Sequence, residues 1–120
     1  MQAILFAATA QAENSKLYYQ DLLGLTLLQD TPFALVFNVD GITLRVQKVG
    51  EVVLAPYTTL GFAVKDLQQT VSLLSTAGVR FERYSFMEQD ASGIWKTPDG
   101  ACVAWCKDPD GNTVSFTQYP

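Results

Sequence analysis

Alternating apolar and polar positions near the end of the chain predict a β-hairpin. Two apolar runs, residues 102–106 and 113–117, flank the cluster DPDGN at residues 108–112. Proline fixes φ, glycine accepts positive φ, and aspartate and asparagine tolerate turn geometry, so the cluster is typical of a tight connection between strands. The pattern Asp-Gly-x-Thr-aliphatic-x-apolar begins at Asp40 and again at Asp110. This internal repeat predicts two related modules.

Both halves of the chain are predicted to contain a strand, a helix and three further strands. Helices are predicted at residues 13–23 and from Asp66 to Gly78, because apolar residues recur there every three or four positions before a terminal glycine. Asp66 and Gln69 have the spacing of an N-terminal capping box. The predicted core-facing residues are Leu17, Tyr18 and Leu22 in the first helix and Leu67, Val71 and Leu74 in the second. The predicted strands cover residues 2–8, 25–29, 33–38, 42–49, 58–64, 79–84, 102–106 and 113–117.

The predicted fold class is α+β, with one domain over residues 1–120. Its first βαβββ module covers residues 1–50 and its second covers residues 57–120. The second half is longer because of a predicted loop at residues 85–100, and a long loop of this kind is often a functional lid.

Composition supports a packed core and excludes several partners. Hydrophobic residues make up 48% of the chain, and its net charge is −4. Nucleic acids and anionic membrane surfaces both require a basic face, so we expect neither as a partner. No apolar run approaches a membrane span, and the N-terminal stretch lacks the basic residues of a signal peptide.

Cysteine and histidine usage narrows the possible chemistry. Cys102 and Cys106 lie four residues apart on one predicted strand, which separates their Cα atoms by ~13 Å, beyond disulfide reach. We interpret them as reduced thiols, chiefly small buried hydrophobic residues, in a cytoplasmic protein. The chain has no histidine, which removes the usual general base and the commonest metal ligand.

Several motifs in order along the chain resemble the vicinal oxygen chelate superfamily, which includes glyoxalase I, bleomycin-resistance proteins and extradiol dioxygenases. Residues 17–25 (LYYQDLLGL) are similar to its helix signature, and residues 107–112 (KDPDGN) to its closing hairpin. Residues 93–95 (GIW), 98–100 (PDG) and 103–105 (VAW) resemble a small glyoxalase-like subgroup. The resemblance implies paired βαβββ modules that form one curved mixed sheet with a concave pocket for a small molecule, and a homodimer.

The metal enzymes of that superfamily hold a divalent metal with His or Gln and Glu side chains from four strands. The match places Ile4, Arg45, Thr59 and Ser115 at those positions. Isoleucine has no donor atom, arginine is a permanent cation, and hydroxyls are weak ligands for such metals. We therefore expect no metal and no cofactor in this chain.

The same register predicts what the pocket contains instead, because alternate residues of a strand face one side. If residues 107–111 form the hairpin loop, Trp105 shares the face of Ser115 and the cysteines face the helix. The predicted ligand-binding residues are Arg45, Gln47, Thr59, Trp95, Trp105 and Ser115. Arg45 would pair with a carboxylate or polarise a carbonyl, and a tryptophan would stack on a ring.

Each of these residues also has an ordinary structural interpretation. Arg45 is equally consistent with a solvated charge or a structural ion pair, and Trp105 with a core position. Asp108 and Asp110 are best interpreted as turn residues. The loop carboxylates Glu88 and Asp90 are possible bases, although solvation is the simpler interpretation.

The leading functional hypothesis is a metal-free small-molecule-binding protein whose ligand is planar or apolar and carries an anionic or carbonyl group. The alternative is a metal-independent glyoxalase-like lyase, isomerase or related enzyme that uses Arg45 and a loop carboxylate. A third hypothesis is an interaction module with a vestigial pocket. The residues leave open whether any reaction is catalysed.

Overall fold

The structure is a computed structural model that describes residues 1–120. Contacts divide the chain into two units, residues 1–55 with 108–112 and residues 56–107 with 113–120. The predicted single domain, with modules at 1–50 and 57–120, stays a prediction. The helices are too short and too polar to form a membrane span.

The first unit packs one helix beside a four-stranded mixed sheet. Its elements are β1 (Ile4–Thr9), α1 (Ala12–Lys16) with a π-helical continuation (Leu17–Leu22), β2 (Thr26–Asp30), β3 (Ala34–Val39) and β4 (Ile42–Lys48). The strand order is β1-β4-β3-β2, with β1 parallel to β4 and the other pairs antiparallel. The predicted Asp40-Gly41 turn is confirmed, and both residues have positive φ, 50° and 85°.

In the first helix, the residues that face the core differ from those predicted. Tyr18 is buried as predicted, but Leu17 is 57% exposed and Leu22 is 36% exposed, so those two predictions are wrong. Tyr19 is fully buried instead. The prediction assumed an α-helical period, whereas the wider π-helical turn rotates successive side chains differently. Two adjacent tyrosines therefore reach the core.

The second unit repeats the plan with a shorter second strand. Its elements are β5 (Leu60–Ala63), α2 (Leu67–Thr76), β6 (Trp95–Lys96), β7 (Cys102–Lys107) and β8 (Thr113–Gln118). The strand order is β5-β8-β7-β6, with β5 parallel to β8. The α+β class is thus confirmed, with a helix and a four-stranded mixed sheet in each unit.

The start of α2 is held by two side chains. Asp66 Oδ1 accepts a hydrogen bond from the Gln69 backbone N–H at 3.0 Å, as the capping motif predicts, although the Gln69 side chain does not return a bond. Gln118 Oε1 accepts from the Leu67 N–H at 2.8 Å. The predicted core face of Leu67, Val71 and Leu74 is confirmed by their burial.

Replacing Asp66 with alanine is expected to lower the free energy of unfolding by about 1 kcal/mol, because one N-terminal N–H loses its acceptor. Urea denaturation measures this change. Asp66→Asn retains a side-chain acceptor and serves as the control. Equal destabilisation by both variants would contradict the capping role.

The strand predicted at residues 79–84 is wrong. That segment makes only an isolated bridge between Phe81 and Cys106. The Gln89 side chain forms hydrogen bonds with backbone groups that would otherwise bond a neighbouring strand. Its Oε1 accepts from the Tyr84 N–H at 2.7 Å, and its Nε2 donates to the Glu82 carbonyl at 2.9 Å. The edge of the sheet is instead β6, which lies within the predicted loop and pairs with β7.

The closing hairpin is confirmed, and its turn belongs to the first unit. Lys107 pairs with Thr113, so the turn is 108–112 and begins one residue later than assumed. Trp105 lies opposite Ser115, which confirms the predicted shared face. Cys106 is fully buried, on the opposite face of β7 from Trp105.

Candidate functional site

A cluster of aromatic rings covers one face of the sheet in the second unit. The Trp105 ring is stacked near Trp95, with centroids 6.2 Å apart, and meets the Tyr84 ring edge-on at 5.6 Å. Tyr84 also lies 5.6 Å from Phe86. The indole N–H of Trp105 donates to Thr58 Oγ1 at 3.1 Å. We call Tyr84, Phe86, Trp95 and Trp105 the aromatic cluster.

A cavity of about 340 Å³ lies beside the aromatic cluster. Its apolar wall is formed mainly by Tyr57, Phe86, Met87 and Trp105. Its polar end contains Lys107, whose ammonium group donates to Thr113 Oγ1 at 2.8 Å. An apolar concavity with a few directed polar groups is typical of a small-molecule site.

Tyr84 keeps its proton at neutral pH. Burial raises the pKa of its phenol above the ordinary value, and the negative charge of Glu82 and charge repulsion from the Cys106 sulfur raise the pKa further. A neutral phenol can donate a hydrogen bond as well as accept one. The Tyr84 phenol therefore adds no negative charge beside Lys107, the one cationic side chain that lines the cavity.

The predicted site residues are divided between the two units. Trp105 lines the cavity, Trp95 packs against it, and Ser115 lies opposite it on β8. Thr59 is exposed just before β5, where its N–H donates to the Thr113 carbonyl at 3.4 Å. Arg45 and Gln47 belong to β4 of the first unit. That these six residues bind a ligand stays a prediction.

Arg45 makes no ion pair within the protein. Its partners in the sheet are Phe6 on β1 and Val36 on β3, and the salt bridges of the chain join Lys16 and Lys48 to Asp30 instead. Phe6 is 51% exposed. The structure therefore does not use the Arg45 charge in a salt bridge, which removes one of its two ordinary interpretations.

Sequence reasoning missed Lys107, Met87 and Tyr57 as cavity residues. Lys107 was assigned to the hairpin loop, but it is the last residue of β7 and lies two positions after Trp105. Alternate residues of a strand face the same side, so extending the predicted strand from Trp105 to Lys107 would have placed both side chains on one face. No comparable periodicity marks Met87 and Tyr57, because both lie outside regular strands.

Comparison with known proteins establishes the family. The model of the glyoxalase/bleomycin resistance protein/dioxygenase superfamily matches residues 3–116. The chain belongs to this superfamily. No match was found among curated proteins.

Solved structures of the superfamily share the fold. Lactoylglutathione lyase from Agrobacterium tumefaciens superposes with a TM-score of 0.75 at 16% identity, over 98% of this chain and 94% of that one. TioX from Micromonospora sp. ML1 gives 0.75 at 15% identity, over 100% and 99%. Oxidase ChaP-H1 gives 0.75 at 21% identity, over 100% and 96%. Identities this low show a common fold, on which function differs with the site.

The metal site of superfamily enzymes does not fit the side chains of this chain. The resemblance assigns the ligand positions to Ile4, Arg45, Thr59 and Ser115, which offer no imidazole and no carboxylate. No group of three or more His, Cys, Asp or Glu side chains in residues 1–120 is arranged to hold a metal ion. The residues present therefore do not form the metal site of those enzymes.

The loop carboxylate of Asp90 is a poor general base. Its Oδ1 accepts hydrogen bonds from the Ser92 N–H, the Ser92 hydroxyl and the Ile94 N–H. Burial raises the pKa of Asp90, but these bonds outweigh burial and lower the pKa below its ordinary value. A base with so low a pKa accepts a proton weakly near neutral pH. Asp90 instead stabilises the turn before β6.

Proposed function

We propose that this superfamily member is a small-molecule-binding protein whose ligand occupies the cavity beside the aromatic cluster. The observation that carries the proposal is the combination of a wide aromatic wall with a single cation, Lys107, at one end. Aromatic walls favour flat apolar ligands by stacking and by burial of apolar surface. The proposed ligand is therefore planar and largely apolar.

The polar end of the cavity favours a ligand that carries a hydrogen-bond acceptor. The Lys107 ammonium group uses one of its three donors on Thr113 and has others for a ligand oxygen. A carboxylate would be attracted by its charge, and a carbonyl would accept a hydrogen bond. We propose that the ligand carries one of these groups, and that it binds without a metal.

Tryptophan fluorescence tests this proposal, because the chain has two tryptophans and both belong to the aromatic cluster. A panel of planar aromatic carboxylates and ketones is titrated into the protein. We expect saturable quenching by at least one compound, with one site per chain. Absence of saturable quenching across the panel would contradict the proposal.

Replacing Lys107 with methionine is expected to weaken binding of 2-naphthoate about three- to tenfold, the range for a partly exposed charge pair. Binding of the neutral ketone 2-acetylnaphthalene should change less. Isothermal titration calorimetry measures both affinities. The control is Lys96→Met, which removes an exposed lysine from β6 outside the cavity. Equal losses in the two lysine variants would rule out a specific role for Lys107.

We also propose a cytoplasmic location and a homodimer. Both cysteines are free thiols, which suits a reducing compartment. Large apolar side chains are exposed in both units, including Phe33, Val53 and Leu73, and such surface favours association. Sedimentation velocity tests the dimer, and a monomer at micromolar concentration would contradict it.

A further inference from the structure

The Ser115 hydroxyl is almost enclosed by the protein and yet has no partner there. Ser115 is 9% exposed, in the middle of β8. No side-chain oxygen or nitrogen in the chain is both fully enclosed and without a hydrogen bond. Because the Ser115 hydroxyl makes no hydrogen bond within the protein, its oxygen must reach solvent.

Gly61 lets the Ser115 hydroxyl lie close against β5. It is paired with Ser115 across β5 and β8, it is exposed, and its φ is not positive. A Cβ atom at position 61 would lie 2.6 Å from Ser115 Oγ. Glycine is therefore required here because a larger side chain would clash with the Ser115 hydroxyl, and not because the backbone adopts a positive φ. We call the solvent-reaching side of Ser115 Oγ, beside Gly61, the serine notch.

The serine notch lies beside the aromatic cluster. Ser115 is the direct cross-strand neighbour of Trp105, and side chains opposite each other on neighbouring strands are about 5 Å apart at Cβ. A ring substituent is short enough to span such a separation. A flat ligand that contacts Trp105 can therefore reach the hydroxyl through one substituent.

We propose that the serine notch binds an oxygen atom of the ligand, with the Ser115 hydroxyl donating to a carbonyl or carboxylate oxygen. This inference rests on the proposed function and adds a residue that orients the ligand. The Trp105 N–H already donates to Thr58, and Thr113 Oγ1 already accepts from Lys107. Ser115 is the nearly buried donor on this face that has no partner. A ligand that covers this hydroxyl displaces its water, so a ligand that supplies an acceptor is favoured over one that does not.

Two probes that differ chiefly in one oxygen test the inference: 2-acetylnaphthalene and 2-ethylnaphthalene. Each is titrated into ¹⁵N-labelled protein, and affinities are obtained from the shifts of the indole and Gly61 amide resonances. We expect the wild-type protein to bind the ketone more tightly. Ser115→Ala should weaken ketone binding about five- to tenfold, as for loss of one hydrogen bond, and change binding of 2-ethylnaphthalene less than about twofold.

Gly61→Ala provides an independent test, because its methyl group forces the Ser115 hydroxyl to turn away. A loss of ketone affinity similar to that of Ser115→Ala is expected. Gly50→Ala is the matched control, since a Cβ there has no atom within 4 Å and φ is not positive. Ser115→Ala removes only one oxygen, so it remains interpretable if Gly61→Ala disturbs the sheet.

The outcomes separate the notch from the cavity. Saturable binding of both probes with no effect of either variant would overturn the serine notch and leave the cavity proposal intact. Failure of the wild-type protein to bind either probe, with neither indole resonance shifting, would count against the proposed function, and the inference would fall with it.

Discussion

Replacing Asp108 with alanine is expected to lower the free energy of unfolding by about 3 kcal/mol, a large loss for one residue. Asp108 is only 4% exposed, and its carboxylate accepts four hydrogen bonds. Oδ1 accepts from the backbone N–H groups of Asp110 and Asn112, and Oδ2 accepts from the Asn112 amide and from the Tyr19 hydroxyl at 2.8 Å. Alanine leaves these donors without their acceptor. A hydrogen bond to a charged group contributes about 1.5–3 kcal/mol net, and the total loss is smaller than four such bonds because water can reach donors of the opened turn.

Chemical denaturation of matched variants checks this prediction. Tyr19→Phe removes one of the four bonds and is expected to cost about 1.5 kcal/mol, the lower end of the range for a bond to a charged group. Asp21→Ala, which replaces an exposed aspartate in the π-helical segment, should change stability by less than about 0.5 kcal/mol. If Asp108→Ala were no worse than Asp21→Ala, the turn would not depend on the carboxylate.

Replacing Trp105 with alanine is expected to weaken binding of 2-naphthoate at least 30-fold. Buried aromatic anchors commonly contribute 2 kcal/mol or more to binding, and 1.4 kcal/mol corresponds to a factor of about ten. Trp105 has the contacts of such an anchor, since it lines the cavity and packs against both Trp95 and Tyr84. Calorimetry measures the affinity without relying on the removed fluorophore.

Two companion variants identify the cause of that loss. Trp105→Phe keeps a ring but removes the N–H that bonds Thr58, so it should retain most of the affinity if stacking dominates. Tyr119→Ala removes an exposed aromatic residue of the same unit and should leave binding unchanged. Wild-type affinity in a folded Trp105→Ala protein would show that the ligand binds elsewhere.

Local sequence signals predicted the parts of the fold that depend on a few neighbouring residues. The Asp40-Gly41 turn requires positive φ at two successive positions, and this sequence supplies residues that tolerate it. The Asp66 cap and the closing hairpin follow in the same way from turn and cap chemistry. These features need no knowledge of distant contacts.

Features that depend on contacts between distant residues were not predictable in this way. The Tyr19 position depends on a π-helical segment and on a bond to Asp108, a residue much later in the chain. The segment at 79–84 has an apolar pattern suited to a strand, but the side chain of Gln89 takes its backbone partners. Nothing in the local pattern indicates that this glutamine folds back.

The candidate site was predicted in part. The Trp105–Ser115 face followed from strand alternation and is confirmed by the register of the hairpin. Lys107 and Met87 were missed, one through a turn boundary that was set one residue too early and the other because it lies in an irregular loop. The close approach of the Ser115 hydroxyl to Gly61 is visible only in the structure.

Titration of ¹⁵N-labelled protein with 2-naphthoate tests the central claim most directly, because the two indole N–H resonances report on the aromatic cluster alone. The account predicts saturable shifts of the Trp105 indole and of the Thr58 and Lys107 amides, with one site per chain. Indole resonances that stay in place while the ligand saturates, or no saturation by this or any other planar carboxylate or ketone, would contradict it.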